Sequence, residues 1–339
     1  MIYSYGVSMA GPYHVDNNIP NQDAYKATPD SEKMVIAAVA DGLGSAKYSD
    51  VASKLAVEVS LEHCKSHVGK AKNEIDLLTI IRDSFKEALS AIDEKAKEES
   101  HERKEYDTTL SLVIYCNEDV FYGHSGDSGI VALTTEGLYK KVTEQQRDEN
   151  NCVFPLDFQD KWVIRRFSEK VSSVFLATDG MLETLFPLYI RKEPVNIHVA
   201  LAQFFMDNQK LNIHEEGTNT VQSRVTDFIG NIPKEQVDDD KTILVLIDTS
   251  SKPRTQSDEY YSEPDWAALK KKHDEEWKRL AYPHLFGDDA QNTDSDESES
   301  SNESSTIISD TEESEERKTS GEPITTQNKK SRISNFFKK

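Results

Sequence analysis

Cysteine is scarce in this chain and scattered. Cys64, Cys116 and Cys152 are the only three in 339 residues, and none belongs to a Cys-x-x-Cys pair. That excludes a disulfide framework and a zinc knuckle and leaves ordinary reduced thiols. Long apolar runs are missing as well: nowhere do about 18 apolar residues follow one another. The N-terminus, MIYSYGVSMAGPY, has neither a basic n-region nor an apolar h-region. These absences predict a cytoplasmic protein with no membrane span. Positive charge is in deficit. The formal net charge is −21, and because residues 288–339 hold 13 acids against 7 bases, residues 1–287 still carry −15. No nucleic acid partner is expected, since that surface needs a basic stripe. A phosphate site on so acidic a fold requires local cations, most simply metal ions.

The stretch around which the rest is organised is 34–50, MVIAAVADGLGSAKYSD. Residues 35–40 carry no polar side chain, as in a strand covered on both faces, so Asp41 is held at the rim of a packed sheet. Gly42 and Gly44 permit a tight turn that brings a main-chain carbonyl close to whatever Asp41 binds. Ser49 and Asp50 suit a helix N-cap, and Val51, Leu55 and Val59 continue at helical spacing. Before this stretch, residues 2–9 alternate like a strand, GPYHVDNNIP reads as a loop, and Asn21-Gln22-Asp23 reads as a polar lead into a short strand. After it, Ile75, Leu78, Phe85, Leu89 and Ile92 share one helix face, so two helices separate the first strands from the next.

Residues 108–116, 120–125, 129–133 and 138–142 are β-rich runs split by turn residues, which predicts an antiparallel meander. Residues 143–160 lose periodicity and read as a loop overhanging a site. Two further strands are expected at 162–167 and 174–177, the second ending in Thr178-Asp179-Gly180 and so repeating the delivery of Asp-Gly by a buried strand. Helical segments follow at 181–188, 195–207 and 220–229, and Asp238-Asp239-Asp240 leads into a last buried strand at 241–247. Asp41, Asp127, Asp179 and Asp239 therefore stand where apolar strands begin or end. Carboxylates gathered at one sheet edge repel each other unless their pKa values rise or a cation sits among them. Oxygen-only ligands suit Mg²⁺ or Mn²⁺ far better than Zn²⁺. Acidic turns at strand ends are common too, so spacing leaves both readings open.

The motifs NQDA at 21–24, VADGLGSAKYSD at 39–50, TTL at 108–110, SGDS at 125–128, ATDG at 177–180 and DDKT at 239–242 occur in this order. In them the chain resembles the metal-dependent protein phosphatases of the 2C type, specifically the bacterial branch with a Gln-Asp-Ala first motif. The resemblance covers residues 1–248. It implies an α+β fold, a four-layer αββα sandwich of two antiparallel β-sheets flanked by helices, with a metal centre for two Mg²⁺ or Mn²⁺ ions at one end. Carried over residue by residue, Asp41 would bridge both ions, the carbonyl of Gly42 would touch the second, and Asp179 and Asp239 would hold the first. Asp127 matches a third, weaker metal site shared with Asp179. The implied reaction is hydrolysis of phosphomonoesters on a phosphorylated Ser/Thr protein substrate, by in-line attack of a hydroxide bridging the metals and without a covalent phosphoenzyme. A cognate Ser/Thr kinase and a monomeric state are expected with it. The alternative from another class is a non-catalytic binding or sensory module on the same fold, which should have lost the bridging carboxylates.

Several positions depart from the family pattern. Gln22 stands where many members have Glu, a neutral group that weakens the second metal or acts through water, and Asp23 remains as an outer-shell acceptor. Leu43 occupies the place of a His that can protonate the leaving oxygen, with His14, His124 or a metal-bound water as substitutes. Gly129 replaces the Arg after Gly-Asp-Ser. The N-terminal phosphate-binding Arg is also absent, and His14 and Lys47 are the nearest candidates for substrate phosphate.

Beyond Asp248 the composition changes. Residues 249–287 are expected to form a linker and an amphipathic helix that docks Trp266, Leu269, His273, Trp277 and Leu280 on the domain. Residues 288–316 hold 12 acids and no Lys or Arg, so 288–339 is expected to be an acidic, Ser-rich disordered tail with a basic C-terminus.

Overall fold

Two five-stranded sheets, antiparallel throughout, carry the described part of the chain. The computed structural model describes residues 1–191 and 193–285; the expected tail, 288–339, lies outside the described residues. One sheet has the order β1 (Ile2–Met9), β10 (Lys241–Asp248), β9 (Val171–Ala177), β6 (Gly129–Thr134) and β7 (Tyr139–Lys141). The other has the order β2 (Asp23–Ala27), β3 (Met34–Asp41), β4 (Leu110–Cys116), β5 (Asp119–Ser125) and β8 (Val163–Arg166). Helix α1 (Pro12–Asn17) follows β1. Helices α2 (Ser49–His67) and α3 (Glu74–Glu98) lie between β3 and β4 in sequence, and α4 (Asp179–Leu185), α5 (Val199–Met206), the single turns α6 (Asn208–Leu211) and α7 (Ile213–Glu216), and α8 (Thr218–Gly230) lie between β9 and β10.

The pleat explains why the middle stretches of β3 and β10, residues 35–40 and 243–247, carry no polar side chain. On β3, Val35, Ala37 and Val39 face the layer between the sheets, while Ile36, Ala38 and Ala40 pack with Ala52 and Ala56 of α2. On β10, Leu244 and Leu246 face the same inner layer, and Ile243, Val245 and Ile247 face the helices that include α5 and α8. Apolar material thus fills three layers: helix pair against sheet, sheet against sheet, sheet against helices. Each fully buried Leu, Ile or Phe in them contributes about 1.5–3 kcal/mol. The four-layer αββα expectation holds.

Two local expectations are corrected. The runs after Thr108 do not form one meander: β4 and β5 pair in one sheet, whereas β6 and β7 belong to the other. The chain crosses between sheets at Gly126-Asp127-Ser128, where Gly126 has φ +104 and leaves no room for a Cβ against Thr109. The segment read as a loop after β1 contains α1, with Pro12 in its first turn and Tyr13 N–H donating to the Asp238 carbonyl at 3.0 Å.

The chain divides into two units, the first holding Met1–Leu269 and the second beginning at Lys270. Periodicity stops at Asp248, but the first unit does not. The Tyr260 hydroxyl accepts from Tyr139 N–H at 2.9 Å, and Arg254 N–H donates to the Thr135 carbonyl at 2.9 Å. A short helix, α9 (Asp258–Tyr261), and then α10 (Trp266–Ala281) follow. Of the face expected to dock, Trp266 packs its ring 4.4 Å from that of His198, whereas Leu280 is 82% exposed. Among the described residues no helix is long and apolar enough to cross a membrane.

Candidate active site

Strand registers bring the acidic positions to one edge of the sandwich. Asp23 opens β2 directly opposite Asp41, which closes β3. Ala177 at the end of β9 pairs with Gly129 at the start of β6 and with Ile243 near the start of β10, so Asp127, Asp179 and Asp239 emerge side by side. Like charges placed directly across a sheet are destabilising, and here several are stacked at one rim.

The main chain around Asp41 is pinned by the Thr108-Thr109 pair. Thr109 N–H and the Thr108 hydroxyl donate to the Asp41 carbonyl at 2.8 and 2.9 Å, and Asp41 N–H donates to the Thr109 hydroxyl at 2.9 Å. Gly42 N–H donates to the Gln22 carbonyl at 3.1 Å, and a Cβ at Gly42 would come within 2.6 Å of the Ser49 carbonyl, so only glycine fits. The two sheets are tied at this edge by Thr178, whose hydroxyl donates to Asp23 Oδ2 at 2.8 Å. Asp179 opens α4, where a carboxylate meets the positive end of the helix.

Asp239 and Asp240 differ in their tasks although they are neighbours. Asp239 adds to the negative field on Asp41. Asp240 is buried and accepts from Gly11 N–H and Gln22 N–H, both at 2.7 Å, which fastens the β1–α1 turn and the start of β2 to the β10 edge. Nothing in the sequence separated the two.

His14, expected near the substrate phosphate, is buried with Nδ1 2.8 Å from Asp240 Oδ1. Enclosure leaves it as a support for that turn. Lys47 is exposed, with its ammonium 4.8 Å over the Tyr48 ring. His124, weighed as a proton donor, is buried; its ring nitrogens stand 2.9 Å from Ser111 Oγ and 3.0 Å from the Glu144 carbonyl. Burial lowers its pKa to about 4, so it is neutral at pH 7. Gln22 and Asp23 are both buried at the rim, beside the carboxylates.

The sequence reading missed Arg147. It comes from the loop expected to overhang a site, and its guanidinium donates to Asp127 Oδ2 at 2.5 Å and to Asp179 Oδ2 at 3.1 Å. The available signal was that Arg147 is the single Lys or Arg within residues 143–160.

The electrostatics follow from enclosure first and from neighbours second. Burial, then the charges of Asp23, Asp179, Asp127 and Asp239, raises the Asp41 carboxyl well above the usual range. Burial and Asp240 do the same to Asp23, against hydrogen bonds from Thr242 and Thr178. Asp127 is pushed up to about 7 by burial and then by Asp179, with Arg147 opposing. Among the described residues no three His, Cys, Asp or Glu groups already enclose a point as a metal cage. The donor set nonetheless fits a hard divalent cation: it is all oxygen, gathered at one rim and destabilised by its own charge, so a cation relieves it.

A pH dependence follows for the metal-free protein. A carboxyl whose folded pKa is raised stabilises the fold fully below its unfolded value and loses that contribution as pH rises through the folded value. For Asp127 this window runs from 3.8 to about 7. In EDTA the melting temperature is therefore expected to rise on lowering the pH from 8 towards 5, and Mn²⁺ at pH 8 should recover the same gain. A melting temperature indifferent to pH in EDTA would contradict the shared-charge picture.

A family model described as protein phosphatase 2C matches residues 10–215 of this chain. No curated protein matches it in sequence. Among solved structures it is similar to the Mycobacterium tuberculosis serine/threonine phosphatase PstP/Ppp, with 14% identity over 73% of this chain and 98% of that one and a TM-score of 0.49. The serine/threonine phosphatase Stp1 from Staphylococcus aureus is 14% identical over 73% of this chain and 95% of its own, with a TM-score of 0.46. The catalytic domain of PstP in complex with two manganese ions is 17% identical over 73% and 97%, with a TM-score of 0.46.

Proposed function

The chain belongs to the protein phosphatase 2C family, and from that premise we propose that it is a serine/threonine phosphoprotein phosphatase dependent on Mg²⁺ or Mn²⁺. The observation that carries this reading is the gathering of Asp127, Asp179 and Asp239 around Asp41 at one sheet edge, each adding to the charge felt by Asp41. Asp41, Asp179 and Asp239, with the carbonyl of Gly42, would hold two ions, and Asp127 with Asp179 offers a weaker place for another. Bound there, divalent ions supply an acidified water for attack on phosphorus and neutralise the phosphoryl oxygens.

The chain's own residues position and limit that chemistry. Thr108 and Thr109 fix the main chain of Asp41, so its carboxylate is presented without a search. Asp23, held by Thr178 and paired across the strands with Asp41, stands behind the ligands as an outer-shell acceptor. Gln22 gives less charge than a carboxylate, so the second ion should bind weakly, and Gln22→Glu should tighten it. The non-catalytic alternative calls for lost carboxylates, and all four are present. Substrates on this reading are proteins phosphorylated on Ser or Thr by a cognate kinase in the cytoplasm, and the enzyme acts as a monomer.

The test is phosphate release from matched phosphoserine, phosphothreonine and phosphotyrosine peptides by the full-length chain in Mn²⁺. Release from the first two is expected. Inertness towards both, in a folded protein that binds Mn²⁺, would overturn the assignment.

A further inference from the structure

The loop over the carboxylate edge is tied down by three consecutive side chains. Gln145 Nε2 donates to the Asp127 carbonyl at 3.0 Å, Gln146 Oε1 accepts from Gly126 N–H at 3.0 Å, and Arg147 reaches the carboxylates of Asp127 and Asp179. Gln146 N–H also donates to the Gly126 carbonyl at 2.9 Å. Arg147 is therefore delivered by a strap anchored on the very turn that carries Asp127, so it reaches the pair at little entropic cost. One nitrogen serves both carboxylates, the position a shared cation takes.

We propose that Arg147 is the built-in counter-cation of the Asp127–Asp179 pair and that a divalent ion binds there only by displacing it. This rests on the reading above, in which the carboxylates hold divalent ions. A guanidinium and a divalent ion at hydrogen-bond distance from the same carboxylate oxygens repel each other, so occupancy by one opposes occupancy by the other. The displaced side chain has room to move: Arg147 also lines a cleft of about 560 Å³ whose walls carry Glu183, Arg191 and a Glu144 paired with Lys141. The exchange sets a threshold. Below a certain metal concentration the pair is neutralised and folded but holds Arg147; above it the pair holds the ion and frees a guanidinium at the mouth of the cleft. Lysine at 147 would keep the charge but carry it on a compact, strongly hydrated ammonium in place of the more weakly hydrated guanidinium.

The test uses the full-length protein and Mn²⁺ alone, with bound ion counted by calorimetry and by the loss of the free-ion EPR signal. Arg147→Ala should bind one further equivalent, or bind its weakest equivalent at least about tenfold tighter, since a charged hydrogen bond no longer competes. Arg147→Lys should fall between the two, and adding Asp127→Asn to Arg147→Ala should remove the gain. In EDTA, Arg147→Ala should melt below wild type, because Asp127 and Asp179 are left facing each other, and Mn²⁺ should reverse the order. Mn²⁺ binding and EDTA melting both unchanged by Arg147→Ala would overturn the proposal while leaving the metal reading standing. Absence of Mn²⁺ binding in wild type and variants alike would overturn that reading and this proposal together.

Discussion

Asp41→Ala is expected to abolish phosphate release, by at least about a thousandfold, while the protein stays folded. The factor corresponds to the several kcal/mol of charge stabilisation that a metal site supplies. The fold should survive because it is the main-chain N–H and carbonyl of Asp41 that bond to Thr108 and Thr109, and alanine retains both. Removing the carboxyl also relieves the group on which Asp23, Asp179, Asp127 and Asp239 all press. In EDTA the variant should therefore melt no lower than wild type, and each kcal/mol of relief is worth about 2–4 °C for a domain of this size. Circular dichroism and p-nitrophenyl phosphate hydrolysis on one preparation check both halves. Activity near wild type would refute the role given to Asp41, and a collapsed fold would show that the carboxylate is structural.

The second large effect concerns the leaving group. Leu43 has no proton to give, His124 is buried and neutral, and His14 lies against Asp240. A leaving oxygen then departs unprotonated or takes its proton from solvent, which slows a serine oxygen far more than an aryl oxygen. Turnover should fall steeply as the pKa of the leaving alcohol rises. Leu43→His should raise phosphoserine peptide turnover by about 10²-fold, the lower end of what general acid catalysis supplies, and alter p-nitrophenyl phosphate little. Leu43 is partly exposed at the rim, its N–H donating to the Asp107 carbonyl at 3.0 Å, so the substitution leaves the backbone anchored. An equal response of both substrates would mean that a proton donor already operates in the wild type.

How much of this was legible in the sequence depends on the range of the interactions concerned. Residues 35–40 and 243–247 announced themselves because an apolar run suits a strand buried on both faces, and the acids near their ends were conspicuous against it. The six motifs carried the fold as a resemblance, and the layers agree with it. The crossing at Gly126-Asp127-Ser128 was hidden, because a β-rich run reads alike whichever sheet accepts it and only the positive φ of Gly126 marks the exit. Helix α1 was hidden because a contact with Asp238, more than two hundred residues away, completes its first turn. Asp239 and Asp240 cannot be told apart by composition; what distinguishes them is that Asp240 meets Gly11 and Gln22. Arg147 was visible only as a lone cation in a polar loop, and its importance comes from the strap that folds it onto Asp127.

The central claim is that this carboxylate edge works by holding divalent ions. It is tested most directly by phosphate release from a phosphothreonine peptide by the full-length chain, first stripped with EDTA and then titrated with Mn²⁺. The account predicts no turnover in EDTA, a saturable return with Mn²⁺ at a high half-maximal concentration, and no return in Asp41→Ala at any concentration. Turnover that persists in EDTA, or that Mn²⁺ restores to Asp41→Ala as fully as to wild type, would contradict it.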